Sequence, residues 1–540
     1  MKLLKIMAAG AIIASTAMLT GCNDLEQPPT NKYTNANFWT KKNVDKLVKT
    51  CYTQMYSASR MWNDEELTDN LYNGYGITDQ HYIRRGIATS NQNIFGWNDI
   101  YGGIRSCHTF LENVDNVDGV DPAVVNRLIA EARVIRDMLY FRLASLYGDV
   151  PFFMENPSLE YASHLSRTPH AEVISTIAKD LEEALPDLPK REALPADENG
   201  RLTQAAAAVL RARMALMEND WQTVASWCKR IMDGEFGHYE LFPSYAGLFA
   251  EENEYNCEVI LDMGYVQGIK TWGEINQMKP PSLRSTYTSW LPTQSLVDSY
   301  LTLGGYTIDD VDVNSDYDPA NPYRNRDPRL AATVVYDKSE LYDPCTGQTH
   351  TIYIDPRSGV SADNVVNDNG SAPSGQYKTY TGYYTRKWFS PIKDDTGYQS
   401  GLNIIMMRYA DVLLMYAEAM NELGQMSNDV WNKTIRLIRE RAGFTADKAL
   451  NMPGGNLRQI IRNERRVELA LEGLRWWDIK RWKAGSEYLN GPVKGCTFVG
   501  GVEVLDNYVF DENRDYLFAV PQSEIDFNPN LKPQNPGYSS

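Results

Sequence analysis

Apolar residues recur at helical spacing through most of the N-terminal half of the chain. Val44 to Tyr56 shows this spacing, and Trp97 to Val114 places Trp97, Ile104 and Phe110 near one face. Because an α-helix repeats every 3.6 residues, the pattern predicts helices that bury one face. The chain is therefore predicted to be mainly α-helical.

Helix-start signals sharpen the predicted boundaries. Asp121-Pro122 places a capping carboxylate before a proline, and Gly148 suits the position after a helix. Thr203 precedes an alanine-rich helix at 205–217, and a short turn leads to a second helix at 221–233. This hairpin resembles a tetratricopeptide unit, although the consensus is incomplete. Stacked hairpins of this kind build a solenoid-like scaffold.

The helical periodicity fades between residues 263 and 400. Gly, Pro, Asn and Asp become frequent there, and 14 of the 33 tyrosines fall between Tyr265 and Tyr398. A structureless loop of this length is uncommon in a compact protein, so we predict a loop-rich insert with short strands. It would lie against a helical scaffold at about 40–260 and 400–485, with helices at 403–423, 429–441 and 456–483. Residues 22–540 are predicted to form a single domain.

The first residues have the pattern of a bacterial lipoprotein signal. Lys2 and Lys5 precede a short apolar stretch that ends in Leu19-Thr20-Gly21-Cys22. The stretch is too short for a good membrane span, and a cysteine after small residues resembles a lipobox. We expect residues 1–21 to be removed and Cys22 to be lipidated, followed by a polar, proline-containing tether.

Charge and cysteine content narrow the range of partners. The formal net charge is −17, which disfavours nucleic acid and anionic membrane surfaces as partners. No segment after the signal is long and apolar enough to span a bilayer, so the lipid is the expected membrane attachment. The six other cysteines show no CxxC spacing. Most are expected to be buried thiols, and the formation of one disulfide among them is an alternative that stays open.

Sequence signatures of enzymes and metal sites are largely missing. There is no GxSxG, GxGxxG, P-loop or HExxH motif, and the six histidines show no ligand spacing. Asp310 to Asp316 begins like a calcium loop but lacks the glycine and glutamate of an EF-hand, so an irregular calcium site stays open and no other cofactor is expected. A carboxylate pair for glycoside hydrolysis also stays open, because none of the 70 acidic residues is singled out.

Two C-terminal segments carry charges among apolar residues. The segment 407–419 places Arg408, Asp411 and Glu418 near one stripe of a helix, and the segment 462–482 repeats Arg and Glu at four-residue spacing. These charges could form a catalytic cluster or a network of ion pairs between stacked helices. Because buried charges persist mainly when they are paired, we favour the structural network.

The same segments resemble the SusD/RagB family. The resemblance is carried by RYADVLL (408–414), NERRVEL (463–469), RWWDIKRW (475–482) and NPNL (528–531). It implies an α-helical fold with tetratricopeptide-like units and a loop-rich, ligand-binding portion. It also implies an outer-membrane lipoprotein, facing the cell surface, that captures a glycan without catalysis and delivers it to a SusC-like TonB-dependent transporter. Some members of the family bind peptides instead.

The ligand-binding residues are predicted from the chemistry of sugars, whose rings stack on aromatic faces and whose hydroxyls need polar partners. We predict aromatic platforms at Trp62, Tyr75, Tyr82, Trp272, Tyr287 and Trp290, and hydrogen-bonding partners at Asp69, Asn70, Asn73 and Arg84. Three alternatives stay open: packed aromatic loops in a helical-repeat docking protein without a small ligand, a surface glycoside hydrolase, and a peptide-binding protein.

Overall fold

The computed structural model describes residues 38–538 except 75–77, 92–95, 286–287, 311, 313, 344, 361, 364–378, 390–398, 497 and 499–503. Cys22 and two of the predicted aromatic platforms, Tyr75 and Tyr287, lie outside the described residues. Within the described part, no helix combines the length and apolar character needed to cross a membrane.

Helices dominate the described residues. They are α1 (Val44–Met55), α2 (Ala58–Glu66), α3 (Asp79–Arg84), α4 (Trp97–Leu111), α5 (Pro122–Tyr147), α6 (Leu159–Ala162), α7 (His170–Ala184), α8 (Gln204–Met217), α9 (Trp221–Met232), α10 (Gln294–Ser299), α11 (Pro328–Thr333), α12 (Tyr409–Glu422), α13 (Asn428–Lys433), α14 (Ile435–Ala442), α15 (Asp447–Leu450), α16 (Leu457–Glu468), α17 (Arg475–Arg481), α18 (Gly485–Tyr488) and α19 (Gln522–Phe527). Short 3₁₀ turns connect several of them.

The strands of the described residues are short and form two-stranded antiparallel sheets. They are β1 (Leu71–Asn73), β2 (Val259–Met263), β3 (Trp290–Pro292), β4 (Val334–Val335), β5 (Ser339–Asp343), β6 (Gln348–Ile352), β7 (Tyr384–Thr385), β8 (Ile404–Arg408), β9 (Gly491–Lys494) and β10 (Val504–Tyr508). The pairs are β1–β3, β2–β8, β4–β7, β5–β6 and β9–β10. The prediction of a mainly α-helical fold with a strand-poor, loop-rich portion is confirmed.

The scaffold is built by helices that pack on one another, most of them close in sequence. Helix α5 packs on α4 and α7, α8 packs on α9, and α9 packs on α12. The predicted caps are present: the Asp121 carboxylate accepts a hydrogen bond from the Ala123 amide, and Gly148 ends α5 at φ 74°. The Thr203 hydroxyl accepts from the Ala206 amide and starts α8. Local sequence therefore sets the ends of the long helices, and burial of their apolar faces holds them together.

Three predicted C-terminal helices are shorter than the periodicity indicated. Residues 404–408 form strand β8, because they pair with β2 before the helix begins at Tyr409. The helix predicted at 429–441 breaks at Thr434, where the backbone leaves helical geometry. The one predicted at 456–483 breaks between α16 and α17, where Leu471 and Gly473 have φ of 61° and 75°. Tertiary pairing and local turns override the periodic pattern there.

The charged residues of the two conspicuous segments form buried ion-pair networks, which confirms the structural interpretation. Arg408 is buried and lies 2.7 Å from Glu258, Glu468 and Glu472. The network, which we call the Arg408 network, joins five cations to five carboxylates: Arg329, Lys387, Arg408, Arg439 and Arg441 with Glu258, Asp327, Glu464, Glu468 and Glu472. A second network joins Arg213, Arg465 and Arg481 to Asp411, Glu418 and Asp478. Because both networks balance their charges, the charges can stay buried.

Candidate functional site

A polar groove lies where the N-terminal half of the chain meets the β9–β10 hairpin. Its volume is about 360 Å³. We call it the Asp69 groove. It is lined by Asp69, Thr293, Gln294, Ser295, Asp298, Tyr488, Leu489, Asn490, Gly491, Pro492, Val493, Lys494 and Tyr508. Ser295, Asn490 and Lys494 are exposed, whereas Gln294, Asp298 and Tyr488 are half-buried.

Pairing between β1 and β3 brings two distant segments together beside this groove. Leu71 pairs with Pro292 in the antiparallel register. Just beyond the strands, the Thr293 hydroxyl donates to the Asp69 carbonyl over 2.6 Å and also accepts from the Leu296 amide as the N-cap of α10. One threonine thus fixes both Asp69 and the start of α10 in place.

Asp69 is the strongest electrostatic feature of the groove. Its carboxylate oxygens lie 2.9 Å from both Arg466 and Arg475. Burial raises the pKa of the Asp69 carboxyl, but the two guanidiniums outweigh burial and lower that pKa overall. Asp69 is therefore a fixed negative charge, with its oxygens occupied by arginines on α16 and α17.

Other polar side chains that line the groove also have partners within the protein. The Gln294 amide donates to Asp298 over 2.7 Å, and its carbonyl accepts from the Tyr383 hydroxyl over 2.7 Å. Burial raises the pKa of the Asp298 carboxyl. The Arg475 guanidinium lies 4.5 Å from the centre of the Tyr488 ring. Amide, hydroxyl, carboxylate and aromatic groups therefore converge on one cleft, which is the composition expected of a site for a hydroxyl-rich ligand.

Two other cavities have a different character. One, of about 130 Å³, lies inside the scaffold and has a methionine-rich lining that includes Met55, Met138 and Met406. The other, of about 730 Å³, is more open and is bordered by the exposed side chains of Leu159 and Phe527. The first cavity is also lined by the rings of Tyr56, Phe141 and Trp477, but its charged side chains, such as Asp411 and Arg465, pair with each other in the second network. Among the described residues, the second cavity is lined by a single Phe, Tyr or Trp ring, that of Phe527.

The three tryptophans predicted as open platforms are buried, so that expectation is corrected. Trp62 has no exposed surface and stacks on Trp290 at 5.7 Å between ring centres. The Trp290 indole donates to Glu66 over 3.2 Å, and the Trp272 indole donates to the Leu402 carbonyl over 2.8 Å. The indole N–H groups of Trp272 and Trp290 thus have protein acceptors, and the Trp62 ring has a protein neighbour, because aromatic residues in these loops pack against the scaffold.

Most of the predicted polar partners lie behind the groove rather than in it. Asn73 is buried and donates to Glu66 over 3.1 Å. Asn70 is buried and accepts from Arg466. Arg84 is buried, donates to the Glu66 carbonyl, and lies 4.8 Å from the ring centre of Tyr508. These three side chains support the groove wall and are corrected as direct ligand contacts. Asp69 lines the groove, whereas Tyr82 is half-buried outside the groove lining. The predicted ligand-binding roles of Asp69 and Tyr82 stay predictions.

Sequence reasoning missed the C-terminal wall of the groove. Tyr488 and Asn490 precede strand β9, which Gly491 and Pro492 begin and Lys494 ends. The Asn-Gly-Pro sequence is visible as a loop signal at the start of the strand. Its proximity to Asp69 depends on tertiary packing that periodicity does not report.

The calcium prediction falls on a chain of local turns. The Asp310 carboxylate accepts from the Asp312 amide, and Asp312 accepts from the Asn314 amide. Asp316 accepts from the Gly304 amide over 3.1 Å. Among the residues that the structure describes, no three His, Cys, Asp or Glu side chains are grouped to hold a metal ion. Calcium binding stays an untested prediction.

Comparison with known proteins matches two family models to this chain. The model described as the SusD family matches residues 257–538, and one described as starch-binding associating with outer membrane matches residues 23–216. The chain belongs to the SusD family. SusD-like protein P2 of Formosa agariphila is 29% identical over 546 residues, which cover 96% of this chain and 97% of that protein.

Solved structures of SusD-like proteins share the fold. A SusD-like carbohydrate binding protein from Bacteroides fragilis is 27% identical, has a TM-score of 0.79, and is matched over 92% of this chain and all of its own. Surface glycan-binding protein A from Bacteroides thetaiotaomicron, solved in complex with laminarihexaose, is 19% identical with a TM-score of 0.68 over 92% of this chain and 99% of its own. At that identity the second likeness shows the fold alone.

Proposed function

We propose that this SusD family protein captures a glycan in the Asp69 groove without catalysing its cleavage. The observation that carries the proposal is the groove itself, in which the polar side chains of Gln294, Asn490 and Ser295 lie beside the Tyr488 ring. Each also bonds within the protein, to Asp298, Phe510 and Arg466 respectively, and so is held in place at the groove. The names of similar proteins, which include a carbohydrate binding protein and a laminarin-binding protein, support this class of ligand.

A direct test is affinity electrophoresis and calorimetry of the mature protein on a polysaccharide panel that includes laminarin. The variant Gln294→Ala should weaken binding, because it removes both an amide and the partner of Asp298. Gln425→Ala is a matched control, since Gln425 is an exposed glutamine beyond α12. Equal affinities for the two variants would remove the groove from the proposal, and binding of peptides without glycans would change the ligand class.

A glycoside hydrolase is the second candidate, because Asp69 and Asp298 line one groove and their pKa values shift in opposite directions. The contacts of Asp69 weigh against it, since two arginines occupy the oxygens that a nucleophile or base would need. Release of reducing ends by the purified protein would establish hydrolysis, and Asp298→Asn should then abolish that release. Without release, binding stands as the activity.

We further propose that a lipid on Cys22 holds the protein at the outer membrane and that the captured glycan passes to a SusC-like TonB-dependent transporter. The lipobox and the outer-membrane description of the matching family model support this location. Labelling with radioactive palmitate should be lost in Cys22→Ala. The co-expressed transporter should co-purify with the tagged lipoprotein from detergent-solubilised outer membranes, and its absence would contradict the partnership.

A further inference from the structure

Two buried cysteines meet where the first described helix packs on the scaffold. Cys51 lies on α1 and Cys107 on α4, and neither has exposed surface. The two helices pack directly on each other. Both are free thiols in the structure, and the neighbouring Cys51 side chain, together with burial, raises the pKa of the Cys107 thiol well above its ordinary value.

The register of the helix pair independently places the two residues face to face. A Cβ built on Gly103 of α4 would come within 3.0 Å of the Gln54 Cβ on α1. Trp39, before α1, lies 6.1 Å from Phe110 near the end of α4, so the two helices run antiparallel. Cys51 is about one turn before Gln54, and Cys107 is about one turn after Gly103. The two thiols are therefore at matching positions across the interface.

The spacing of packed helices suits a disulfide at such positions. Helix axes are about 8–10 Å apart and Cα atoms lie about 2.3 Å from each axis, so facing Cα atoms are roughly 3.4–5.4 Å apart. A disulfide needs about 4.4–6.8 Å. Gly103 allows close approach near this point because it has no side chain. We propose that Cys51 and Cys107 form a disulfide that fastens α1 to α4.

The oxidant in this step is a disulfide, either of a thiol oxidoreductase or of a small thiol such as oxidised glutathione. One cysteine thiolate attacks an oxidant sulfur and releases the first thiol of the oxidant. The other cysteine thiolate then attacks the resulting mixed disulfide, which forms the Cys51–Cys107 bond and releases the second thiol. The two protons lost by the cysteines end on the two released thiols, so the protein loses two electrons and the oxidant gains them.

The bond has a structural consequence for a tethered protein. Cys22 precedes α1 in the sequence, so we expect tension on the proposed tether to reach α1 before α4. A Cys51–Cys107 bond would transmit that tension to α4, so that the tension would not separate α1 from the scaffold. It would also close the segment 52–106, which contains Asp69 and β1. Its formation in cells rests on the proposed extracytoplasmic location, because disulfides persist there.

The test uses the mature chain with Cys22→Ser, which retains six thiols. After incubation with oxidised glutathione, the protein is denatured, alkylated with N-ethylmaleimide and weighed intact. We expect four alkylations instead of six and a cross-linked Cys51–Cys107 peptide that is lighter by two hydrogens. Six alkylations, glutathione adducts alone, or a cross-link between other cysteines would overturn the proposal.

Single variants assign the bond. Cys51→Ser and Cys107→Ser should each show five alkylations whether or not oxidant is added. Cys228→Ser is the matched control, because Cys228 is equally buried but lies on α9, and it should keep the cross-link. If a variant fails to fold, the protein that keeps all six thiols still tests the proposal. Its oxidised form should melt a few degrees above its reduced form, and equal melting midpoints would overturn the fastening of α1.

A final arm separates this proposal from the proposed function. Thiols are trapped with N-ethylmaleimide in intact cells before lysis, and the same mass assay is applied to the lipoprotein. The cross-link is expected in cells, and its absence there would overturn the cellular part of the proposal. Glycan binding is measured on the same oxidised and reduced samples. Loss of glycan binding would contradict the proposed function only, and absence of the cross-link would contradict the disulfide only.

Discussion

The Arg408 network and the Asp69 groove contain the same kinds of polar and charged side chains, but these side chains differ in how far they are buried. In the network, each carboxylate is buried and contacts a guanidinium or ammonium group, as Glu468 does with Arg329 and Arg408. In the groove, Ser295, Asn490 and Lys494 reach the surface. Buried and saturated polar groups can hold a shape, whereas half-exposed groups retain hydrogen-bonding capacity for a ligand.

The aromatic residues show the same contrast. Trp62 and Trp290 stack on each other inside the protein, so their faces are already used. Tyr488 is half-buried at the groove and keeps part of its ring accessible. Residue type alone is therefore not enough to predict a binding platform in this protein, and we expect exposure at a concave surface to be needed as well.

The largest expected effect comes from breaking the Arg408 network. Glu468→Ala removes the carboxylate that contacts Arg329, Arg408 and Arg441 and leaves their charges buried without it. We expect the free energy of unfolding to fall by about 3–5 kcal/mol, measured by chemical denaturation. Asp429→Asn is the control, because it breaks an exposed pair with Lys433 and should not move the midpoint. Equal midpoints for the two variants would contradict a structural role for the network.

The second network should make stability depend on acid pH. Burial raises the pKa of Asp411, but Arg213 and Arg465 outweigh it and lower the pKa from 3.8 to about 2. Because the folded-state pKa is depressed, the stabilisation is present above about pH 4 and is lost as the pH falls towards 2. It amounts to about 2 kcal/mol. The gap in unfolding free energy between the native protein and Asp411→Asn should therefore narrow from pH 6 to pH 2.5. A gap independent of pH would show that Asp411 is not held ionised by its arginines.

The scaffold was largely predictable, because its signals are local. The Asp121 cap and the Thr203 cap act within one helical turn, and the apolar spacing of 97–111 follows from one buried face. The break at Thr434 and the strand at 404–408 were not predictable. They depend on pairing with β2 and on packing between helices, which the sequence of the segment does not display.

The groove was predictable only in part. Asp69 was identified as a polar residue in an aromatic loop, and it lines the groove. The neighbouring Asn70 and Asn73 have the same residue chemistry, yet they point into a buried cluster around Glu66 and Arg466. Asp69 and Asn70 precede β1, and Asn73 ends it, so strand alternation alone does not separate these residues. Their directions depend on tertiary partners such as Glu66 and Arg466, which composition does not report. Tyr488 lies nearly 420 positions after Asp69 in the sequence. Arg475, which donates a hydrogen bond to Asp69, lies 406 positions after it.

The contrast between aromatic residues can be tested directly at the groove. Tyr488→Ala should weaken binding of the best polysaccharide in the panel by about tenfold, because a central aromatic contact contributes strongly to an interface. Tyr342→Ala should leave affinity unchanged, since Tyr342 is exposed on β5 away from the groove lining. Calorimetry at one temperature measures both. Equal losses would point to a second binding surface that includes Tyr342.

The smallest expected effect concerns Lys480, a buried cation that, within the described part of the chain, is not paired with a carboxylate as the cations of the two networks are. Lys480 is buried, its ammonium donates to the Ser145 carbonyl, and it has no carboxylate partner among the described residues. Burial lowers the pKa of Lys480 to about 7, far below that of an exposed lysine. Between about pH 7 and pH 10 the folded protein has released this proton while the unfolded chain retains it, so stability rises with pH. Lys480→Met should therefore raise the melting temperature by a few degrees at pH 6 and by less at pH 9. A variant that melts lower at pH 6 would show that the bond to Ser145 stabilises the fold more than the buried charge destabilises it.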